Sequence, residues 1–313
     1  MANNSDFGLD VGTYGPLATP DTIVRLAQLA ESLDFSAVWL ADHVVFPTRF
    51  DSKYPYSPTG AFPTALDLPL LEPIAVMGVL AGATKRVRLG TAVLVIPYRN
   101  PVVLARMLIT IDQFSGGRVI LGAGVGWLAE EFEVLDSPAF AKRGQATDEY
   151  LEIFKALSAG GQVGYQGETY SFADVHSSPG AVQQPHPPIV IGGVSNPALR
   201  RTARLGDGWL AVAIGPARIR ACLDKLKGYC EAEGRKLDDL SLTYKIFLSI
   251  GEAKQGKYGE REPGTGTAAQ IIDDLKAIRD LGFGHIVFRY RGEGAETQME
   301  QITRFAEDII PKV

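Results

Sequence analysis

The chain has 313 residues, 46% of them hydrophobic, so it is long enough to bury one large core. Its 31 basic and 36 acidic residues leave a net charge of -5. This charge gives no electrostatic reason to expect nucleic acid or a membrane as partner. We therefore expect a small-molecule substrate. Cys222 and Cys230 cannot build a disulfide framework or a CxxC metal site. The sequence shows no signal-peptide pattern and no long apolar run, so we expect a cytoplasmic protein.

Short β-rich apolar runs alternate with longer segments of helical period, the pattern of βα units around a parallel sheet. Strands are predicted at Phe7–Val11, Ala37–Ala41, Val87–Ile96, Val119–Ala123, Pro188–Ile191, Trp209–Ala213, Leu242–Ser249 and His285–Arg289. Helices are predicted after the N-cap Thr19 and at Pro73–Thr84, Pro101–Phe114, Thr147–Leu157, Pro197–Leu205, Arg218–Glu233, Ala268–Leu281 and Glu296–Ile310. Eight units favour one α/β domain over residues 1–313, a (β/α)8 TIM barrel with loop insertions, over a doubly wound open sheet.

Three segments fall outside this alternation. The stretch Phe46–Leu71 is rich in proline and aromatic residues, and a loop of that length is usually functional or disordered. Val163–Phe172 resembles a hairpin that turns at Gly167 outside the barrel. The polar, glycine-rich stretch Gly251–Gly266 is typical of a mobile insertion before the next helix.

Candidate site residues follow the carboxyl ends of the predicted strands, where a barrel collects its loops into one mouth. Asp42 and His43 follow the second strand, and an acid beside an imidazole can transfer a proton near neutral pH. A plain turn capped by Asp42 is an equally good interpretation of these two residues alone.

Small residues end the third and fourth strands. In Gly90–Val93 they let a flat group approach the backbone, although tight packing inside the barrel explains them as well. The run Gly122-Ala123-Gly124-Val125-Gly126-Trp127 also permits close approach to a ligand, but it is not the GxGxxG fingerprint of a dinucleotide-binding fold.

The fifth strand leads through Gly192-Gly193-Val194-Ser195-Asn196 into a helix with Pro197 in its first turn. Free backbone amides, a helix N-terminus and a hydroxyl group together suit an anion, and a cofactor phosphate is the anion expected here. A simple strand-to-helix turn is the alternative.

The other histidines are less suited to catalysis. His176 and His186 lie in irregular, proline-rich sequence, and His285 begins the last strand at the opposite end of the barrel, so we expect surface or structural roles for all three. No pair has the spacing of metal ligands, and no metal is expected.

Taken together, several motifs resemble the bacterial luciferase-like superfamily over nearly the whole chain. They are Trp39-Leu40-Ala41-Asp42-His43-Val44, Arg88-Leu89-Gly90-Thr91-Ala92-Val93-Leu94, Ser115-Gly116-Gly117-Arg118 leading to Gly122–Trp127, and Ile191-Gly192-Gly193 to Gly206-Asp207-Gly208-Trp209. The segments Tyr54-Pro55-Tyr56-Ser57 and Pro97-Tyr98-Arg99-Asn100-Pro101 are most similar to its coenzyme F420-dependent oxidoreductase branch. Relatives that use FMN share much of this pattern.

The resemblance implies roles for individual residues. The deazaflavin ring would rest on a non-proline cis peptide between Ala92 and Val93, and Thr91 just before them would also contact the cofactor. Asp42 would contact the polar edge of the ring, and His43 occupies the position used for proton transfer. The remaining cofactor contacts would come from Gly124, Val125, Gly126 and Trp127 around the ring and from Gly192, Gly193, Val194, Ser195 and, unless it has a surface role, Arg143 at the phosphate.

One position departs from the sugar-phosphate dehydrogenases of this branch. There a glutamate that donates a proton occupies the place that Trp127 takes here. With Phe46, Tyr54 and Tyr56, this tryptophan predicts an apolar or aromatic substrate pocket. The expected reaction is hydride transfer between F420 and a small organic substrate, in a protein that, like many relatives, forms a homodimer.

Three other functions stay open at this point. They are an FMN-dependent monooxygenase, a flavin-binding relative without catalysis, and an aldolase-type barrel with a lysine Schiff base. For the last, the sequence offers only Lys245 within the seventh strand, and an exposed residue is the alternative interpretation of this lysine.

Overall fold

The computed structural model describes residues 6–57, 59–62, 67–212, 214–256, 259–290 and 294–313. Eight strands alternate with helices along these residues. The strands are β1 Phe7–Asp10, β2 Ala37–Leu40, β3 Arg88–Thr91, β4 Val119–Gly124, β5 Ile189–Gly192, β6 Gly208–Val212, β7 Ser241–Ile250 and β8 His285–Tyr290. The first six are almost entirely buried and β7 and β8 are buried in their central residues, as expected for parallel strands covered by helices.

The helices lie on the outside of the strands. They are α1 Pro20–Ser32, α2 Pro73–Ala83, α3 Pro101–Ser115, α4 Ala129–Val134, α5 Arg143–Ala159, α6 Asn196–Leu205, α7 Pro216–Ala232, α8 Ala268–Asp280 and α9 Ala295–Arg304. The predicted cap is confirmed, because the Thr19 side chain accepts from Thr22 N and Pro20 is the first residue of α1. The short α4 was not predicted.

The eight strands close into a parallel barrel. Each strand pairs with the next in chain order, and β8 pairs with β1 through the partners Phe7↔Ile286 and Leu9↔Phe288. The predicted (β/α)8 barrel is therefore confirmed, and the open sheet is excluded. Because all strands are parallel, the loops that follow them meet at one end of the barrel.

The observed elements differ locally from the predicted ones. The predicted strand Val87–Ile96 is interrupted after Thr91, and Leu94–Val95 pairs again with Ala123 and Gly124 of β4. The predicted end of the sixth strand, Ala213, lies outside the described residues. The predicted last helix stops at Arg304 and continues as a wider π turn over Phe305–Ile309, just before Pro311.

Two of the predicted insertions contain regular β structure. A two-stranded hairpin, Gly161–Gln166 with Ser171–Ser177, lies outside the barrel sheet, as predicted. In the predicted insertion after β7, Thr265–Gly266 pairs with the end of β7, and Arg261 forms an ion pair with Asp274 of α8. Residues 257 and 258 of this insertion lie outside the described part of the chain.

No helix within the described residues has both the length and the apolar character needed to cross a membrane.

Candidate functional site

A cavity of about 570 Å³ opens at the carboxyl ends of the strands. Its lining brings together almost every residue that the sequence analysis selected, from the loops after β2, β3, β4 and β5. These residues are Asp42, His43, Ala92, Val93, Gly124, Val125, Gly126, Trp127, Arg143, Gly192, Gly193, Val194 and Ser195. The remaining predicted residue, Thr91, lies below this lining, where its buried hydroxyl group accepts from Gly122 N and donates to Gly122 O. Thr91 thus joins β3 to β4.

Asp42 is held by a bidentate ion pair. Arg99 donates to both of its carboxylate oxygens at 2.8 and 2.9 Å, and Val95 N donates to one of them at 2.8 Å. Arg99 also binds Glu72, the N-cap of α2. Although burial alone lowers the pKa of Arg99, the two carboxylates raise it above its ordinary value. This network fixes the loop after β2 against the start of α2.

His43 is bound to a carboxylate that sequence reasoning missed. Its Nδ1 lies 2.7 Å from Oε2 of Glu131, which is fully buried in α4. The backbone N–H groups of Val44 and Val45 and the hydroxyl group of Tyr98 also donate to Glu131. Because Glu131 accepts from all these groups, we assign the proton to His43 Nδ1, which leaves Nε2 for the cavity.

Tyr98 completes this arrangement. Burial, and then the charge of Glu131, raises the pKa of Tyr98 above its ordinary value, so the phenol stays a neutral donor. In the sequence Glu131 stands among Glu130 and Glu133 in a short helix and resembles a surface residue. The signal that could have found it is its position four residues after Trp127, in the loop that follows β4.

The floor of the cavity is formed by Ala92 and Val93. The peptide bond between them is cis, as the resemblance implied. The side chain of Val93 fills the space beside Gly124 and Gly192, since a Cβ atom added at either glycine would clash with it. These two glycines therefore make room for Val93, which in turn lines the cavity.

Lys245 supports this floor from inside the barrel, so the alternative interpretation of it as an exposed residue is wrong. It is only 5% exposed; its Nζ lies 2.5 Å from Asp10 Oδ2 and donates to the carbonyl oxygen of Ala92 at 3.1 Å. Burial tends to raise the pKa of Asp10, but Lys245 and Arg289 lower it below its ordinary value. A lysine that is ion-paired inside the barrel and does not line the cavity does not suit a Schiff base.

The loop after β5 and the start of α6 lie at the cavity. Ser195 is the N-cap, and its side chain accepts from Ala198 N at 3.3 Å. Gly193 has a φ of 118°, which favours glycine, and its carbonyl oxygen accepts from the indole of Trp209 at 2.8 Å. The loop is thus fixed with a helix N-terminus directed at the cavity.

Arg143 lies across the same side of the cavity. Its guanidinium group stacks on the ring of Phe140 at 3.8 Å and donates to Phe140 O. Burial lowers its pKa from the ordinary value. Its Nε is buried and, within the described residues, has no hydrogen-bond partner.

The opposite side of the cavity is aromatic. Tyr54, Tyr56 and Trp127 line it, and Phe46 packs on His43 with ring centroids 4.5 Å apart. The pocket therefore has the aromatic character that the sequence predicted.

The other histidines lie away from this cavity. His176 is exposed in the hairpin, and His186 lies 3.7 Å from Asp207. His285 lies at the opposite end of the barrel, where it accepts from the indole of Trp39. No group of three potential metal ligands occurs among the residues that the structure describes.

The amino-acid sequence matches a known protein family and several known proteins. The family model described as luciferase-like monooxygenase matches residues 5–258. An uncharacterized protein of Mycobacterium tuberculosis is 28% identical over 298 residues, which cover 93% of this chain and 95% of the relative. The F420-dependent glucose-6-phosphate dehydrogenase of Amycolatopsis mediterranei is 27% identical over an alignment of 341 positions, with 94% and 95% covered.

A solved structure shares the fold over the same length. An F420-dependent secondary alcohol dehydrogenase in complex with an F420-acetone adduct superposes with a TM-score of 0.78 at 18% sequence identity. The superposition covers 99% of both chains. At this identity the likeness concerns the fold.

Proposed function

The chain belongs to the luciferase-like monooxygenase family, whose members are oxidoreductases, and from this premise we propose that it binds coenzyme F420 and transfers a hydride between F420 and a small organic substrate. The observation that carries the proposal is the buried pair of His43 and Glu131 at the wall of the cavity. Similarity to an F420-dependent dehydrogenase over almost the whole length of both chains supports the choice of cofactor.

His43 is the residue that we assign to proton transfer. Glu131 holds its Nδ1–H, so Nε2 can accept a proton from an alcohol or return it to a carbonyl oxygen. Hydride transfer between an alcohol and a carbonyl compound requires such a proton acceptor and donor. F420, when bound, supplies the hydride chemistry. Asp42 contributes through its ion pair with Arg99, which keeps the loop that carries His43 in place.

The residues of the cavity fit a cofactor of this kind. Ala92 and Val93 present a floor, with Gly124 to Trp127 beside it. The start of α6 at Ser195 and the guanidinium group of Arg143 offer donors and positive charge for a phosphate. The partnerless, buried Nε of Arg143 supports this assignment, since such a group normally has an acceptor.

Titration of the purified protein with F420 and with FMN, followed by absorbance, tests the proposal. We expect F420 to bind at micromolar concentration and reduced F420 to form with an alcohol that the protein oxidises. Binding of FMN alone, or of neither cofactor, would contradict the proposal.

An FMN-dependent monooxygenase is the second candidate, because the matching family is described by that activity. The aromatic wall around His43 would also exclude water from a reactive intermediate. Consumption of oxygen with reduced FMN and a substrate, without any reaction of F420, would favour this candidate.

We also propose that the protein is a homodimer that associates through the outer faces of α2 and α3. Phe114 is 82% exposed, and Val79, Val103 and Met107 are exposed beside it. Within the described chain, no exposed residue of these two helices is charged. Such a face is complementary to itself, and a second copy of the chain would cover it.

Two glycines support this surface. A Cβ atom at Gly78 or Gly82 of α2 would meet open space, so contacts within the chain do not require glycine there, whereas close approach of a partner helix would. Light scattering after size exclusion should give a dimer for the wild type and a monomer for Phe114→Glu. Val175→Glu, at an exposed valine of the outer hairpin, is the control and should stay dimeric. A monomeric wild type at micromolar concentration would overturn this proposal.

The protein's partners are otherwise small molecules in this proposal, and its location is the cytoplasm. Both cysteines are free and buried, which agrees with a reducing compartment.

A further inference from the structure

An aromatic cluster covers the side of the cavity where His43 lies. Its rings come from three loops: Tyr14 after β1, Trp127 after β4, and the remaining rings from the long segment after β2. Phe62 lies at the centre. Its ring centroid is 5.1 Å from that of Phe46, 5.2 Å from Tyr54, 5.4 Å from His43, 5.6 Å from Tyr14 and 5.7 Å from Trp127.

Two rings of this cluster lie nearly parallel to each other beside His43. The rings of Phe62 and Trp127 are inclined by only 24°, whereas Tyr54 meets each of them nearly edge-on. Aromatic rings bind other rings best in such stacked and edge-to-face arrangements. A planar group that lay against Phe62 or Trp127 would therefore be close to the imidazole of His43.

Phe62 also separates two cavities. A second cavity of about 350 Å³ is lined by residues 50, 52, 53 and 59–62, and Phe62 and Lys53 line both cavities. Lys53 is exposed, whereas Phe62 is partly buried. The Phe62 ring is thus a partition between the site and a side pocket that also contains Phe50.

The carboxylates near the Phe62 ring are not available to bind a positively charged substrate. Asp42 and Glu131, the acidic groups beside His43, are already bound by Arg99 and by His43 and Tyr98, respectively. Neither carboxylate is left to pair with a cationic substrate. The wall therefore offers apolar ring surface and no carboxylate for a cationic substrate.

We propose that Phe62 determines the specificity of this site: the substrate is a planar aromatic compound without positive charge that stacks on Phe62 or Trp127, and the Phe62 ring limits its length by closing the side pocket. This inference rests on the proposed function, because it uses the same cavity and the same proton-transfer residue. It adds the class of substrate and the residue that selects it.

Calorimetric titration with three alcohols tests the inference without turnover. Benzyl alcohol and cyclohexylmethanol differ in planarity at similar size, and 2-naphthylmethanol is planar but longer. We expect the wild type to bind benzyl alcohol at least fivefold more tightly than cyclohexylmethanol. Phe62→Ala should gain at least tenfold in affinity for 2-naphthylmethanol relative to benzyl alcohol, and Phe62→Trp should lose affinity for both planar alcohols.

Phe172→Ala is the matched control, because Phe172 is a partly buried phenylalanine in the outer hairpin, and it should keep the wild-type ratios. If Phe62→Ala fails to fold, Phe62→Leu retains most of the volume and should lose the preference for the planar ring. Equal affinity ratios in the wild type and in the Phe62 variants would overturn the inference.

An F420 titration of the same proteins separates this inference from the proposed function. We expect all of them to bind F420 as the wild type does, since the floor and the start of α6 are unchanged. If F420 binds normally but the alcohol ratios do not respond to Phe62, this inference alone fails. If no protein binds F420 while the ratios respond, the proposed cofactor is wrong and Phe62 still selects the ligand.

Discussion

His43 and His285 lie at opposite ends of the same barrel, and their surroundings differ in charge. At the carboxyl end, His43 donates to the buried carboxylate of Glu131. At the amino end, His285 accepts from the indole N–H of Trp39 at 3.2 Å, and Arg88 adds a positive charge nearby. Burial, and then Arg88, lowers the pKa of His285 to about 4.

The comparison shows how the fold gives one residue type two roles. The carboxylate of Glu131 holds the Nδ1 side of His43 and leaves Nε2 for the cavity, whereas burial and the charge of Arg88 keep His285 neutral. Gly8 permits the second arrangement, because a Cβ atom there would clash with both Trp39 and His285. Four variants test this contrast between the two ends of the barrel.

The largest effect is expected for His43→Asn. The amide cannot transfer a proton, so turnover should fall by about 10² to 10⁴-fold, while the affinity for F420 stays close to that of the wild type. Turnover is measured with whichever alcohol or aldehyde of a panel the wild type converts. His186→Asn is the control, and unchanged turnover of His43→Asn would remove His43 from the mechanism.

A smaller loss, of roughly 10²-fold in turnover, is expected for Glu131→Gln. The amide keeps the shape of the side chain but loses the charge, and it cannot accept from all the donors around it. We expect kcat to fall with little change in F420 affinity, and the pH profile of kcat to change with it. Tyr98→Phe removes one donor to Glu131 without touching His43, and its effect on kcat should be smaller. Equal losses in both variants would argue against a specific role of Glu131 toward His43.

His285 should affect stability rather than turnover. Because its folded pKa of about 4 lies below the unfolded value of 6.5, the unfolded chain binds a proton first as the pH falls. The native state is therefore destabilised as the pH falls from 6.5 toward 4, by about 2 kcal/mol at pH 5, and is unaffected above 6.5. Urea unfolding of the wild type and His285→Gln at pH 7.5 and 5 measures this difference. A variant that loses as much stability as the wild type over this interval would contradict the assignment.

The sequence predicts the fold and the lining of the site, but not the buried charges that support them. The eight units and the residues after each strand could be placed, because hydrophobic periodicity fixes the strands and a barrel gathers their carboxyl ends. Glu131 and Lys245 could not be assigned, because their roles depend on His43, 88 residues away, and on Asp10. A carboxylate in a short acidic helix, or a lysine in a strand, is usually exposed, and only tertiary pairing makes burial of the charge acceptable.

The smallest effect is expected for Ser195→Ala, at the carboxyl end of the barrel. Its hydroxyl group caps α6, so its loss should cost about 1 kcal/mol of stability. If it also donates to a cofactor phosphate, F420 affinity should fall by about 1 kcal/mol, or fivefold. Stability and affinity thus report two separate roles of one side chain.

Thr19→Ala gives a matched control for these two roles. Thr19 caps α1 as Ser195 caps α6, with the same 3.3 Å distance to a backbone N–H, but it does not line the cavity. We expect similar losses of stability in the two variants, measured by urea unfolding, and a loss of F420 affinity only in Ser195→Ala. If both variants bind F420 as the wild type does, the hydroxyl group acts only as a helix cap, and the phosphate must be held by the backbone of α6 and by Arg143 without it.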